Sequence, residues 1–553
     1  MHKKPAKIFT LLVCVLFVSN ILAQKTQLEL LAPLDIPLIL SGNFGEFRGS
    51  HFHMGIDIKT QGREGFPVLA AADGKVMRIK VSPWGYGNAL YLEHADGSST
   101  VYAHLQSFAP EIQSWVTASQ YSGRTFSYDA RPSIDFMFAA GDTIGWSGNS
   151  GGSGGPHLHF EVRDATSHPV NPLLFNFDIA DSRPPELGAL IAIPVDSQGS
   201  EIRPLVISCS SGDTISVLPG QLHLGIEAID RLDAASNVCG IYRLEVTIAG
   251  KEYFSCIIDT LDYAVNKDMN AHVYYPFWSD SRKSIHRFDR LPGDRLPIYS
   301  QISDLRIAAD SLISVSVDCW DVHGNLSSST FYLRGSSSIT VPVESCDRRQ
   351  CSTPAIPTSK THLAVSGIDV IWPKGSFYSR EDATLLKHDS IEFSIGPFDA
   401  PLAKKFKCEV LSPDTSLTGW LARSVDSRGR VSGAVICRES GSGTLSFSTR
   451  KMGRYRLCRD TIPPRVLPKH SGTPVVSTGD LIFHIEDDIA GVSNITATID
   501  GSWLLLRWDP KKKTAIYFAS DGAHIPGARQ FVEVIVEDAV GLKSSWRGYV
   551  QMN

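Results

Sequence analysis

The chain has 553 residues, with 53 Lys+Arg against 58 Asp+Glu for a net charge of −5, so it carries no global basic field for nucleic acid or an anionic membrane. At about 100–200 residues per domain, three to five domains are expected. Hydrophobic content of 42% with 31 Pro and 45 Gly excludes a disordered or collagenous chain and predicts turn-rich, mainly β domains.

Residues 1–23 read as a signal peptide: Lys3, Lys4 and Lys7 form a positive start, residues 8–22 are a short apolar run, and Ala23 precedes Gln24. An exported protein is expected, in the periplasm or cell envelope or secreted. Val13 before Cys14 argues against a lipid anchor, because a small residue normally stands there. No later stretch approaches the roughly 20 apolar residues of a spanning helix, so no transmembrane segment is expected in the mature chain.

Next, Val68-Leu69-Ala70-Ala71-Ala72 runs through Asp73-Gly74 into residues 75–81, where Met77, Ile79 and Val81 share a face; this reads as a hairpin. A second hairpin joins residues 89–94 to 99–104 through Asp96-Gly97. No helical periodicity of more than three turns is evident. Residues 112–137, with Tyr121, Arg124, Tyr128 and Arg131, read either as a lining for a substrate groove or as a solvated surface hairpin.

Two patterns recur further along. Asp181-Ser-Arg-Pro184-Pro185 returns as Asp460-Thr-Ile-Pro463-Pro464, and a proline pair cannot sit inside a central strand. Ile226-Glu227-Ala228-Ile229-Asp230 compares with Ile485-Glu486-Asp487-Asp488, and Asp321-Val-His-Gly324 with Asp538-Ala-Val-Gly541. Related β modules are therefore expected. All nine cysteines after the signal peptide lie beyond residue 208, without any C-x-x-C pair, which disfavours a cysteine zinc site. Cys346 and Cys351 are the pair best placed to bridge locally, with buried small apolar thiols as the equal alternative.

Histidines cluster in the first domain: His53-Met-Gly-Ile-Asp57, His104 at a strand end, and Gly155-Pro156-His157-Leu158-His159-Phe160-Glu161. On a strand His157 and His159 point to one face. Two imidazoles and a carboxylate suit Zn²⁺ with a fourth position left for water, which points to hydrolysis. A lone H-x-H is weak evidence, since His51-Phe52-His53 is another.

Over residues 40–175 the sequence resembles the lysostaphin-type or LytM-type zinc metallopeptidases of bacterial cell walls. Three motifs stand in order: His53-x-x-x-Asp57, Tyr102-Ala103-His104-Leu105, and residues 155–161 after the glycine-rich stretch 148–154. The resemblance implies His53, Asp57 and His159 as zinc ligands, with His104 and His157 as the catalytic pair that orients water and stabilises the oxyanion. Phe44-Gly45-Glu46-Phe47-Arg48 resembles a stretch that often precedes the first ligand. The implied function is a zinc-dependent endopeptidase on the peptide cross-links of peptidoglycan. The alternatives are a non-catalytic wall-binding activator of an amidase, a type that commonly lacks zinc ligands, or a peptidase on glycine-rich peptides.

The expected fold class is mainly β: an N-terminal LytM-type antiparallel β metallopeptidase domain at 24–180, followed by β-sandwich (Ig-like) modules at 181–340 and 460–553. A linker at 341–359 and a β-rich module at 360–459 lie between them. A fragment ending near residue 180 is expected to keep zinc if its core is self-contained, leaving the tail a targeting or positioning role.

Overall fold

The computed structural model describes residues 28–202, 204–207, 211–339, 351–426, 428–441, 443–472, 474–477 and 479–552. The signal peptide, Cys209 and Cys346 lie outside them. The chain is built mostly of antiparallel strands, and no described helix is long and apolar enough to cross a membrane.

The N-terminal domain centres on a large antiparallel sheet in the order Leu40–Gly42, Ile56–Lys59, His157–Arg163, Ser99–Leu105, Asn88–Glu93, Gly74–Val81, Tyr128–Ala130. Alternation sends Ile56, Ile58, Leu158, Phe160 and Tyr102 into one core, all fully buried. At roughly 1.5–3 kcal/mol per large apolar side chain, that face fixes the strand registers, since a one-residue slip would turn every one of them to the other side.

The second hairpin forms as expected, with Gly97 at φ 83 between paired strands Asn88–Glu93 and Ser99–Leu105. The first does not. Pro67–Leu69 pairs with Thr143–Trp146 in a separate three-stranded sheet, and Gly74 opens the next strand without the positive φ that a tight Asp-Gly turn requires. Asp73 is engaged elsewhere, its Oδ1 accepting from Ala140 N at 2.7 Å. A bulge between Val76 and Arg78 also takes Met77 off the core face, leaving Val76, Ile79 and Val81 inside.

Part of the segment read as a possible surface hairpin is an α-helix, Pro110–Gly123, with Pro at its first turn and left-handed Arg124 at its end. It buries only Ile112, Val116 and Gln120, one residue per turn, which is why its periodicity is faint. Residues 351–355, within the stretch read as linker, form a strand paired with Glu381–Lys387.

Beyond residue 185 come three successive pairs of sheets, each enclosing a core of its own. The first boundary does not separate two cores. Phe44, Phe47, Phe52 and Met54 of the N-terminal domain are buried in one cluster with Leu222, Leu224, Ile226 and Phe254. The large sheet also continues across the boundary: Val170 bridges Thr260, Leu261 N donates to Pro169 O at 2.9 Å, and Asn171 N to Asp259 O at 2.7 Å. The last module reaches back as well. Lys511 Nζ donates to Asn149 Oδ1 at 3.2 Å and Ser153 O at 3.1 Å, and Trp503 packs edge-on to Tyr121 at 5.3 Å.

The described cysteines Cys239, Cys256, Cys319, Cys408, Cys437 and Cys458 are free thiols. Burial pushes the Cys239, Cys256 and Cys437 thiols up to about 12, so they behave as small apolar residues.

Candidate metal centre

Three neighbouring strands and one small hairpin bring all five expected residues together. His159 lies directly opposite Asp57 on one side and Ala103 on the other. Because Leu158 and Phe160 take the core face, His157, His159 and Glu161 all stand on the opposite face. His53 follows the hairpin of Phe47–Arg48 and His51–Phe52 and is pinned through its backbone, His53 N donating to Glu46 O at 2.8 Å and its carbonyl accepting from Gly45 N at 2.9 Å.

His104 arrives by a different device. Asn88 pairs with Leu105 but Leu90 pairs with Tyr102, so Ala103 and His104 together oppose a single residue, and His104 has φ 59. A bulge with a left-handed residue breaks alternation and re-aims the ring, whose centroid sits 4.8 Å from that of His157. The glycine-rich loop beside it fits only without side chains: a Cβ on Gly151, at φ 71, would come within 2.3 Å of Gly87 N.

Each of the four rings has one nitrogen committed. His53 Nδ1 donates to Asn43 O at 2.8 Å, His159 Nε2 to Glu161 Oε1 at 2.9 Å, His104 Nδ1 to Ser150 O at 2.9 Å, and His157 Nδ1 to Gly155 O at 2.9 Å. These acceptors fix the neutral tautomers, so His53 Nε2 and His159 Nδ1 present lone pairs. They face each other at 3.0 Å, and Asp57 Oδ1 lies 3.1 and 2.9 Å from them. Three converging lone pairs repel one another unless a positive charge, a proton or a metal ion, sits between them. Their spacing is close to the roughly 3.3 Å edge of a tetrahedron of ligands at Zn²⁺ distances. The donor set therefore fits a zinc ion held by His53, Asp57 and His159.

The local field agrees with that fit. Burial opposes charge on His159, but the Asp57 and Glu161 carboxylates outweigh it and raise the imidazole to about 9, so the site draws positive charge. Burial likewise opposes the Asp57 carboxylate, and His53, His157 and His159 overcome it and hold its pKa well below the usual range. His104 is pushed down to about 3 by burial and then by its imidazole neighbours, which keeps it neutral at any physiological pH.

Sequence reading left several supporting residues without a role. Arg48 Nη2 donates to the other oxygen of Asp57, Oδ2, at 2.9 Å. Glu161, fully buried, orients His159 and is itself held by Tyr86, by Arg163 Nε at 2.8 Å, and by Tyr263 Oη at 2.9 and 2.8 Å. Burial opposes its charge, but His159 and Arg163 bring it down to about 2. The alternation from His159 to Glu161 was a usable signal. Tyr263, which lies beyond the first boundary, left none.

Residues 51–139 match Peptidase family M23. Over 121 residues the chain is 39% identical to the DD-carboxypeptidase/endopeptidase Mpg of Neisseria meningitidis serogroup B, covering 22% of this chain and 22% of that protein. Over 126 residues it is 31% identical to lysostaphin of Staphylococcus simulans, covering 23% and 20%. The chain thus spans about a fifth of the length of these curated relatives. A solved zinc-containing peptidase from Vibrio cholerae is 27% identical over 25% of this chain and 37% of that one, with a TM-score of 0.19. Residues 51–139 thus carry a peptidase family M23 domain, consistent with the LytM-type metallopeptidases, and further β modules follow it.

Proposed function

We propose that the chain is an exported zinc-dependent endopeptidase that cleaves the peptide cross-links of peptidoglycan in the periplasm or cell envelope. The observation that carries this reading is the convergence of the His53, Asp57 and His159 lone pairs, with two further imidazoles beside them. Zn²⁺ bound there supplies a Lewis acid for the scissile carbonyl and lowers the pKa of water.

The chain's own residues do the rest. His104 and His157 have their Nδ1–H groups tied to backbone carbonyls, so each offers Nε2 as an acceptor that orients the attacking water; His104 stays neutral, and His157 Nε2 takes the water's proton. Once protonated, the same nitrogen donates to the oxyanion or the departing amine. No H-E-x-x-H supplies a glutamate base, so the proton work falls to His157. Glu161 and Arg48 fix His159 and Asp57. Because every ligand and both auxiliary histidines are present, a catalytic role is favoured over that of an amidase activator. The match to endopeptidases supports a cross-link substrate, and residues 1–23 support export.

The test is mass analysis of muropeptides released from purified wall by the zinc-loaded chain, before and after chelation and zinc restoration. Cross-linked dimers should fall to monomers only when zinc is present. Release that survives chelation, or no release by the zinc-loaded chain, would sink the proposal.

A further inference from the structure

The last module reaches the glycine-rich loop through the tip of one hairpin. Its strands Arg507–Asp509 and Thr514–Tyr517 pair, and Asp509 Oδ1 accepts from Lys511 N at 3.0 Å and from Lys512 N at 3.3 Å, which fixes the turn between them. The edge-on packing of Trp503 against Tyr121 sets this part of the module on the N-terminal domain. Lys511 Nζ then donates to three oxygens: the carbonyl of Asn149, Asn149 Oδ1 at 3.2 Å and Ser153 O at 3.1 Å. An ammonium has three N–H donors, so all of them are used. Among the described residues no other donor reaches either carbonyl.

The loop tied in this way is the one that aims two imidazoles. Ser150 O, next to Asn149, accepts from His104 Nδ1 at 2.9 Å. Ser153 Oγ donates to Gly155 O at 2.6 Å and accepts from Gly155 N at 3.3 Å, while Gly155 O accepts from His157 Nδ1 at 2.9 Å. Packing does little for this stretch: a Cβ on Gly154 or Gly155 would meet nothing within 4 Å. Glycine also has the most backbone freedom to lose, so polar ties supply the order that side chains do not. The three oxygens around Nζ repel one another, and the ammonium charge offsets that repulsion.

We propose that Lys511 is a positioning residue for His104 and His157, contributed by the last module. By tying Asn149 to Ser153 it holds the Ser150 and Gly155 carbonyls where they aim the two rings. Its three bonds lie on the loop, none of them on His53, Asp57, His159 or the pair itself. The inference rests on the reading of that pair as the groups that act on water, and it gives a module outside the M23 match a part in turnover.

The test compares the zinc-loaded full chain, isotope-labelled at its histidine nitrogens, with Lys511→Met and with Lys512→Met, which removes the neighbouring charge at the same tip. Ring N–H signals in the magnetic resonance spectrum are assigned by their loss in His104→Ala and His157→Ala. In Lys511→Met the His104 and His157 Nδ1–H protons should exchange with water about tenfold faster or more, the scale of one hydrogen bond to a charged group, while those of His53 and His159 and the zinc content stay as they are. On a purified cross-linked muropeptide dimer, kcat should fall about tenfold with KM unchanged. Lys512→Met should match the unaltered chain in every readout. Unchanged exchange at both imidazoles, zinc lost from Lys511→Met, or a kcat that holds or rises would overturn the proposal. An unaltered chain that leaves the dimer intact would remove the endopeptidase reading instead, and the exchange rates would still decide the role of Lys511.

Discussion

Each site imidazole has one nitrogen bound to a fixed acceptor, and the remaining nitrogen determines what its loss will do. His159→Ala removes a lone pair from the ligand set, so zinc and activity should vanish together. His157→Ala and His104→Ala leave the set intact, so zinc should stay bound while turnover falls by about 10²-fold or more. Zinc content and peptidase rate on the three variants check this, and loss of metal from His157→Ala but not His159→Ala would reverse the assignment. Tyr263→Phe removes one of the donors on Glu161 and should weaken zinc affinity by up to about tenfold, read by chelator competition. An unchanged affinity would reduce Tyr263 to packing. The five residues that meet in the candidate site were legible through the resemblance carried by three short motifs, at residues 53–57, 102–105 and 155–161. Tyr263 was not, since it lies 102 residues from Glu161 and no local pattern records such a contact.

Among the elements, the bulge at His104 shows how a strand departs from period two to serve a site. The sequence carried the hairpin there through a left-handed Gly97, but not the extra residue, because a bulge is set by the partner strand's register. The Asp73-Gly74 turn failed because the strand before it pairs in another sheet, and the helix Pro110–Gly123 because it buries only one residue per turn. A second consequence belongs to the module at residues 181–340, where Asp181, Asp230, Asp321 and His323 interact. Asp230 is raised to about 7, by burial first and by Asp181 next, with Asp321 adding and His323 opposing. The folded state then holds its proton more tightly than the unfolded chain. Stability is full below the ordinary carboxyl pKa and declines as pH rises to about 7. Asp230→Asn should therefore stabilise the chain by about 1–3 kcal/mol at pH 8 and change little at pH 4, as denaturant melts at the two pH values will show. Equal effects at both would place the cost in packing rather than in charge.

For the whole molecule, the shared core sets what can be cut. Phe44, Phe47, Phe52 and Met54 each contribute roughly 1.5–3 kcal/mol by burial, together comparable with the 5–15 kcal/mol of a whole domain. Asn266 adds a buried pair of hydrogen bonds to Phe52 N at 2.7 Å and Phe52 O at 3.2 Å, next to His53. A fragment of residues 24–180 should therefore aggregate or hold zinc poorly, whereas residues 24–339 should stay soluble with zinc bound, by size-exclusion and metal analysis. A soluble, zinc-bound 24–180 fragment would show that the second module is dispensable. Composition and patterning announced a mainly β chain, but not a core spanning that boundary, because apolar alternation does not record which partner covers it.

The contact of Lys511 with Asn149 and Ser153 joins residues 362 and 358 positions apart. Chains lengthen at about 5–20 residues per second, so the glycine-rich loop waits roughly 20–70 s for its brace after it is made. During that interval the glycine-rich loop is held only by its own domain and the modules already synthesised. The finished form of the site is thus a property of the completed polypeptide, and order of synthesis becomes a clock on when it is reached.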